Sequence, residues 1–151
     1  MLKTNPDPGA LIIMNLINGN KRNKFISAFA ANDPDSTLKV WTLLKDKITG
    51  KKCIFLNTRD DRRYRTVQLI DLIYQKIRPD LLIVRGDNVS SLIKGYGDDK
   101  IKTKLFDMNA SSSQLAQYII NLDNHFVVGI GNIVGWGENF INKLHRYSID
   151  D

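Results

Sequence analysis

The chain has 151 residues and a mass of 17.2 kDa, which fits one domain of the usual size of roughly 100–200 residues. With 42% hydrophobic and 25% charged residues, its composition is globular and excludes wholesale disorder. The longest apolar run, 11–14, is too short to span a bilayer, and the single cysteine, Cys53, excludes an internal disulfide. His125 and His145 are too far apart in the sequence to indicate a structural zinc site. We therefore expect a soluble, cytoplasmic segment.

The charge balance is basic, with 22 Lys and Arg against 16 Asp and Glu, a formal charge of +6 and a pI near 9.5. Such a surplus favours an anionic partner, which could be nucleic acid, phosphate, acidic lipid or an acidic polymer. A role in solubility alone explains the same surplus, so composition leaves the partner open.

Short runs rich in Ile, Val, Leu and Phe alternate with segments of helical period. We expect strands at 24–30, 52–57, 81–85, 102–108 and 126–130. The alternation is typical of βα units and predicts an α/β fold: a single three-layer αβα Rossmann-like domain with a mostly parallel sheet. A further strand at 11–17 is expected to form a hairpin with the first of these strands across Asn18-Gly19-Asn20.

Apolar periodicity predicts four helices between these strands and one after Gly137. The first begins at Asp33 and Pro34, since Asp caps a helix and Pro suits its first position. The second spans 61–76, the third starts near residue 90 and the fourth spans 111–122. The predicted core stripes are Leu38, Trp41, Leu44 and Ile48 in the first helix and Val67, Ile70, Tyr74 and Ile77 in the second.

The domain organisation follows from composition along the chain. Residues 1–10 contain two prolines and few apolar groups, and we interpret them as a linker or a lead-in to the domain. We assign the α/β domain to 11–147 and a tail to 148–151. No internal repeat or low-complexity segment divides the chain.

Polar side chains follow three successive predicted strands, at the edge where open α/β sheets bind ligands. The first group includes Asn32, Asp33 and Ser36, although a capping turn explains it without a ligand. The third group includes Asp87 and Asn88, which could bind a ribose hydroxyl or orient an arginine. An N-cap role for Asn88 would explain much of that third pattern.

The second group, 57–66, carries four arginines at the start of a helix: Arg59, Arg62, Arg63 and Arg65. Cations are unfavourable at the positive end of a helix dipole, so an anionic ligand would compensate them. Arg binds carboxylate or phosphate oxygens in pairs, which suits glutamate or a nucleotide. Alternatively, Asp60 and Asp61 neutralise the arginines in a solvated network.

Other motifs do not indicate chemistry within this chain. Gly129, Gly131, Gly135 and Gly137 lack the spacing of a dinucleotide-binding fingerprint and predict close packing or a shaped loop. The sequence has no G-x-x-x-x-G-K-[ST] phosphate loop, so we do not expect it to hydrolyse ATP alone. Cys53 is expected to be structural, and no residue is assigned as catalytic or as a metal ligand.

Three segments together resemble one family. FAANDPDST at 29–37 closely matches the signature F-A-A-N-D-P-x-S-T, and the residues at 57–65 match N-x-R-x-D-R-x-x-R. VGIGNI at 128–133 is similar to a closing V-x-G-x-G-N segment. The family comprises the ATP-dependent amide ligases of poly-γ-glutamate capsule synthesis, CapB or PgsB, in the Mur ligase-like group. The resemblance covers about residues 8–140 and corresponds to the C-terminal part of those proteins.

The resemblance implies a fold similar to the C-terminal domain of Mur ligases and a domain that closes over substrate and nucleotide. The implied ligase adds glutamate to poly-γ-glutamate through an acyl phosphate, and this chain is not catalytically complete alone. ATP and Mg²⁺ would be bound mainly by an upstream P-loop ATPase domain or chain. The other implied partners are glutamate, poly-γ-glutamate and a membrane-associated capsule synthesis complex, at the inner face of the cell membrane.

The resemblance also implies residue roles. Related Mur ligases have a D-Y-A-H-N-P-type turn that faces nucleotide and acyl phosphate, and Asn32 and Asp33 stand within its counterpart here. The substrate carboxylates are assigned to Asn57, Arg59, Arg62 and Arg65, with Asp61, Asp87 and Asn88 in support.

Two alternatives remain at this stage. A nucleic-acid-binding module would use the arginine cluster to contact phosphates, and its binding would fall steeply with salt. The sequence lacks an RNP motif, a zinc module and a row of aromatics alternating with basic residues, which such modules commonly carry. A non-catalytic assembly domain would instead dock its basic face on a membrane complex.

Overall fold

The computed structural model describes residues 12–29, 33–97 and 100–149, which form a seven-stranded sheet between two helical layers. The strands are β1 (Ile12–Asn18), β2 (Lys21–Ser27), β3 (Lys51–Asn57), β4 (Leu81–Arg85), β5 (Lys102–Phe106), β6 (His125–Gly131) and β7 (Ser148–Ile149). The helices are α1 (Pro34–Leu44), α2 (Arg63–Leu72), α3 (Ser90–Lys94), α4 (Ser112–Ile120) and α5 (Trp136–His145). Short 3₁₀ turns occupy Lys45–Lys47 and Asp60–Arg62, and a π-helical turn, Ile73–Ile77, extends α2.

The sheet has the strand order β5-β4-β3-β6-β2-β1-β7. β2 to β6 are parallel, whereas β1 pairs antiparallel with β2 and β7. The mostly parallel α/β sheet predicted from the sequence is thus confirmed. Strands β2 to β6 all begin at one side of the sheet, where Lys21 and Lys102 lie, and we call this side the amino edge. They all end at the opposite side, where Ser27 and Phe106 lie, and we call that side the carboxyl edge.

Apolar side chains cover both faces of the central strands, which explains their continuous apolar sequences. α1 and α2 pack on one face, where Trp41, Leu69 and Ile73 are buried against Ile54. α4 and α5 pack on the other face through Leu115, Ile119, Phe140 and Leu144. The predicted three-layer arrangement is confirmed. None of the helices in the described ranges has both the length and the apolar character needed to cross a bilayer.

The prediction that Val67 belongs to the core stripe of α2 is wrong. Val67 is 37% exposed, while the neighbouring Thr66 is buried. The Thr66 hydroxyl can take the inward position because it donates to the Arg62 carbonyl at 3.5 Å. The stripe then continues through Leu69, Ile70 and Ile73, so a satisfied polar residue displaces the apolar one that the periodicity selected.

The N-terminal hairpin is confirmed, and the C-terminal end differs from the expected tail. Asn18 pairs with Lys21 across a two-residue turn in which Gly19 has a φ of 61°. Residues 148–149, expected in the tail, form β7 on the free side of β1. Residues 1–10, interpreted as a linker, lie outside the described residues.

The start of α1 follows its predicted capping chemistry. Asp33 is the N-cap and Pro34 is the first helical residue. One Asp33 carboxylate oxygen accepts from the Ser36 amide at 2.8 Å, and the other accepts from the Ser36 hydroxyl at 2.9 Å. These bonds hold the start of α1 at the carboxyl edge.

Candidate anion-binding site

A small, partly open pocket with a volume of about 60 Å³ lies at the carboxyl edge between β3, β6 and the start of α2. Arg59, Arg62 and Arg65 line it, together with Asn57 and the 131–132 turn after β6. The structure therefore brings together all four side chains that the sequence assigned to substrate carboxylates. Their assigned role stays a prediction, because no ligand contact tests it.

Arg59 and Arg62, which both line the pocket, have different surroundings. The Arg59 guanidinium donates to both oxygens of Asp61, from Nε at 2.9 Å and from Nη2 at 2.7 Å. This ion pair leaves the Arg59 side chain 41% exposed. Within the described ranges the exposed Arg62 guanidinium makes no hydrogen bond or ion pair. Arg62 is thus available for an anion, whereas Arg59 is oriented by Asp61.

Hydrogen bonding by Arg59 holds the pKa of Asp61 below its usual range. Asp61 therefore remains charged around neutral pH and balances one guanidinium of the pocket. The alternative of an Asp–Arg network is correct for this pair. The positive charge of Arg62 also lowers the pKa of Asp61, but Arg62 donates no hydrogen bond to it.

The first and second predicted polar groups meet at this edge. The pKa of Asp33 is lowered mainly by the hydrogen bonds from Ser36, with a further contribution from the positive charge of Arg65. Arg65 is half-buried in the pocket wall, so α1 and α2 present opposite charges beside the pocket. Asn32, which was assigned to face nucleotide or acyl phosphate together with Asp33, lies outside the described residues.

Asn57 forms the floor of the pocket and is 1% exposed. Its side-chain oxygen accepts from Arg85 Nη1 at 3.0 Å, and its Nδ2 donates to the Asn132 carbonyl at 2.8 Å. Both ends of the carboxamide thus join the ends of β4 and β6 to the end of β3. In this arrangement Asn57 positions the pocket walls.

Arg85 is a buried cation behind this floor, and the sequence analysis assigned it no role. It is 7% exposed, and it donates to the Ala110 carbonyl at 3.1 Å and to the Met108 carbonyl at 2.7 Å. Its guanidinium carbon lies 4.1 Å from the centre of the Trp136 ring, a favourable cation–π distance. The available signal was a charged residue closing the apolar strand LLIVR.

The third polar group is structural in the described contacts. Arg63 donates to the carbonyl of Asp87 at 3.1 Å and to that of Asn88 at 2.6 Å. The Asp87 carboxylate accepts from the Met108 amide at 3.0 Å. The N-cap of α3 is Val89, so the N-cap role considered for Asn88 is wrong; Asn88 instead adopts a φ of 56° in the preceding turn.

Glycines 129 and 131 confirm the prediction of close packing. A Cβ at Gly129 would lie 2.6 Å from the Phe25 ring, and one at Gly131 would overlap the Asn57 carbonyl oxygen. Gly131 also has a φ of 98°, which other residues rarely adopt. Close packing at Gly131 was expected from the sequence, but the place of Gly131 and Asn132 in the pocket wall was not.

The remaining titratable groups do not form a metal site. Cys53 is fully buried within β3, and burial raises the pKa of its thiol, which is consistent with its predicted structural role. Among the described residues, no three His, Cys, Asp or Glu side chains come together as metal ligands.

Known proteins resemble this chain in sequence and in fold. The sequence profile of the family "Poly-gamma-glutamate synthase CapB C-terminal domain" matches residues 13–147. The chain is 34% identical to PGA synthase CapB of Bacillus subtilis (strain 168), and 30% identical to capsule biosynthesis protein CapB of Bacillus anthracis, in each case over 99% of this chain. It spans 39% and 33% of those two proteins.

Solved Mur ligase structures resemble the fold at low sequence identity. MurF from Acinetobacter baumannii has a TM-score of 0.57 and 16% identity, over 87% of this chain and 29% of that chain. The Thermotoga maritima MurF ligase, solved in complex with ADP, also has a TM-score of 0.57, with 14% identity over 97% of this chain and 32% of that chain. These likenesses show the α/β fold of Mur ligase C-terminal domains. The profile match and the relatives show that the chain belongs to the poly-gamma-glutamate synthase CapB C-terminal domain family.

Proposed function

We propose that this domain is part of an ATP-dependent ligase that adds glutamate to a poly-γ-glutamate chain, and that the arginine pocket binds substrate carboxylates. The observation that carries the proposal is the convergence of Arg59, Arg62 and Arg65 on one pocket at the carboxyl edge. Ligands of open α/β sheets bind at this edge. Membership in the CapB C-terminal family supports glutamate as the substrate class.

The pocket chemistry suits a small dicarboxylate. A guanidinium presents paired N–H donors that match the two oxygens of a carboxylate. Arg62 has both of its terminal nitrogens available among the described contacts, and Arg59 retains Nη1, because Asp61 uses only its Nε and Nη2. Arg62 is therefore the proposed primary ligand, with Arg59 oriented beside it.

The start of α1 is the proposed surface toward nucleotide or acyl phosphate. Asp33 fixes the first turn of α1 through the amide and hydroxyl of Ser36, so this turn keeps a defined position at the carboxyl edge. Asn32 and Asp33 keep the assignment that the family resemblance implies. Asp61, Asp87 and Asn88 support the arginines and the adjoining loop, as their contacts with Arg59, Arg63 and Met108 suggest.

The overall reaction in this proposal has two steps. ATP transfers its terminal phosphoryl group to the carboxylate at the end of the polymer and leaves as ADP. The amine of the next glutamate then attacks the acyl carbon, and phosphate leaves. The described residues contribute binding and orientation, while an upstream ATPase domain or chain would bind ATP and Mg²⁺. A membrane-associated capsule synthesis complex is the proposed wider setting.

The test uses the ligase that contains this chain together with its upstream ATPase part. Arg62→Ala and Arg59→Ala should raise the KM for glutamate at least tenfold, which corresponds to about 1.4 kcal/mol of binding. The measurement is ADP release as a function of glutamate concentration. Lys39→Ala is the charge-matched control, because Lys39 is exposed on α1 outside the pocket.

The two arginine variants should differ in a way that reports their roles. We expect the larger rise in KM for Arg62→Ala, since Asp61 already neutralises Arg59. Unchanged glutamate kinetics in both variants, with normal folding, would contradict the assignment of this pocket to carboxylates.

A further inference from the structure

The amino edge carries most of the positive charge of the described residues. Thirteen lysines and arginines lie where strands β2, β3 and β5 begin, or where α1, α2 and α5 and their extensions end. They are Lys21, Arg22, Lys24, Lys45, Lys47, Lys51, Lys52, Lys76, Arg78, Lys100, Lys102, Lys143 and Arg146. The aspartates described in the same places are three, Asp46, Asp80 and Asp123.

Backbone contacts join these positions into one continuous edge. The Lys102 amide donates to the Asp80 carbonyl at 3.2 Å, and the Asp80 amide donates to the Lys52 carbonyl at 2.9 Å. Lys51 donates to the Asn124 carbonyl at 2.9 Å, and Asn124 donates in turn to the Arg22 carbonyl at 2.8 Å. With five parallel strands spaced by about 4.8 Å, the edge is about 19 Å wide.

Two of the three carboxylates at this edge accept from the backbone. Asp80 accepts from the Lys52 amide at 2.9 Å, and Asp123 accepts from the Arg22 amide at 3.2 Å. The exposed side chains of Lys47, Lys51 and Lys102 make no hydrogen bond or ion pair with a described residue. The positive charges of these three lysines therefore face solvent.

Helix dipoles explain only part of this charge. Lys47, Lys76 and Lys143 lie in the last turns of helical segments, where cations are favourable. Lys51 and Lys102, in contrast, begin strands and are exposed. Nothing in the folding of a strand requires a lysine at its first residue.

We propose that the amino edge is a second binding site, which holds the poly-γ-glutamate chain as an extended polyanion. This inference rests on the proposed ligase function and concerns the opposite edge from the arginine pocket. Each unit of the polymer carries one carboxylate, so a flexible chain can follow lysines spread over several strand starts. Lysine ammonium groups are hydrated point charges and impose less geometry than an arginine fork.

A polymer fits this edge better than a lipid surface or a nucleic acid. Surfaces that insert into membranes place large apolar side chains among their basic residues. Single-stranded nucleic acids commonly stack on exposed aromatic side chains. The described strand starts of the amino edge carry no exposed aromatic or large aliphatic side chain, and the exposed aliphatic residues near its other basic residues are single ones, Leu43 at the end of α1 and Ile149 in β7.

The test compares two triple variants with the same loss of charge in the complete ligase. Lys47→Gln, Lys51→Gln and Lys102→Gln together alter the amino edge. The control combines Lys39→Gln, Lys94→Gln and Lys104→Gln, which are exposed lysines away from this edge. The probe is fluorescently labelled poly-γ-glutamate of defined length, and binding is followed by anisotropy at several salt concentrations.

The amino-edge variant should bind the polymer at least tenfold more weakly at low salt and show a shallower salt dependence, because fewer counterions are released. The control should lose less than threefold. Equal losses in the two variants would overturn the proposal. Tighter edge-dependent binding of anionic vesicles, or of an oligonucleotide of matched charge, would also overturn it in favour of those partners.

The proposed function can fail separately from this inference. The glutamate KM of Arg62→Ala tests the carboxylate pocket, while polymer affinity of the lysine variants tests the amino edge. In Arg62→Ala, the part of the polymer affinity that depends on the amino-edge lysines should stay within threefold of its value in the unaltered protein. A loss of polymer binding confined to Arg62→Ala would assign the polymer to the pocket and contradict a second site.

Discussion

The two edges of the sheet hold their positive charge in different ways. At the carboxyl edge, the guanidinium groups of Arg59, Arg63 and Arg85 are fixed by a carboxylate, by carbonyls or by an aromatic ring. At the amino edge, Lys51 and Lys102 extend into solvent from strand starts. Fixed donors suit recognition of one small anion, whereas hydrated ammonium groups suit a long and mobile one.

This difference shows that the net charge of the chain does not indicate where the candidate pocket lies. The formal charge of +6 concerns the whole chain, but acidic residues such as Asp33, Asp61 and Asp87 accompany the arginines at the carboxyl edge. The charge of the carboxyl edge is therefore partly neutralised, whereas the amino edge has few described aspartates among its basic residues. Geometry, rather than charge density, distinguishes the candidate pocket.

The largest expected effect comes from breaking the close approach of β3 and β6 at the carboxyl edge. Gly131→Ala would combine a strained positive φ with an overlap against the Asn57 carbonyl oxygen. We expect a loss of about 3–4 kcal/mol in the free energy of unfolding. Denaturant unfolding measures it, with Gly19→Ala as the control, because Gly19 has a positive φ but open space around it. Equal costs at both glycines would contradict the packing argument.

Removing the buried guanidinium should be the next largest effect. Arg85→Met would leave the Asn57 side-chain oxygen and the carbonyls of Met108 and Ala110 without these donors. We expect a loss of about 2–3 kcal/mol in unfolding free energy, together with a higher KM for glutamate, because the pocket floor loses its support. Lys39→Met is the control, since Lys39 is exposed on α1 outside the pocket. An Arg85→Met variant with normal stability and a normal KM would show that the pocket does not depend on the hydrogen bonds of Arg85.

Asp33 should contribute less, and with a defined pH dependence. Asp33→Ala removes the N-cap bonds of α1 and should cost about 1 kcal/mol at neutral pH, whereas Asp33→Asn should retain most of the cap. The pKa of Asp33 is lowered in the fold, so its stabilisation is present above the unfolded carboxyl pKa and is lost as pH falls through the folded value. The difference in unfolding free energy between the native and Asp33→Ala proteins should therefore narrow as the pH falls. A difference that does not change between neutral and acidic pH would contradict this.

The smallest effect on stability is expected at the amino edge. Lys51→Gln and Lys102→Gln should each change the free energy of unfolding by less than about 0.5 kcal/mol, because neither side chain has a described partner. Chemical denaturation checks this value. A loss above 1 kcal/mol would show that these lysines stabilise the fold, and it would weaken the contrast between the two edges.

The fold was largely predictable because the apolar runs of β3, β4 and β6 are continuous and the first turn of α1 carries its capping residues in sequence. Val67 was assigned wrongly because periodicity does not reveal that Thr66 can satisfy its hydroxyl within the helix. β7 was missed because two residues carry no periodic signal, and its pairing depends on β1, more than 130 residues earlier.

The candidate site was predictable only in part. Asn57, Arg59, Arg62 and Arg65 lie close together in sequence, so one strand end and one helix start were enough to group them. Arg85, Asn132 and Trp136 come from other strand ends and join the network only through the strand order of the folded sheet. The charge of the amino edge was missed for the same reason, because its lysines are spread over several elements.

The most direct test of the central claim is glutamate-dependent ADP release by the upstream ATPase part, measured with and without this chain. The account predicts release only when both parts are present, with a higher glutamate requirement when the chain carries Arg62→Ala. Full glutamate-dependent ADP release by the upstream part alone would contradict the assignment of substrate binding to this domain. A glutamate requirement that Arg62→Ala leaves unchanged would contradict it as well.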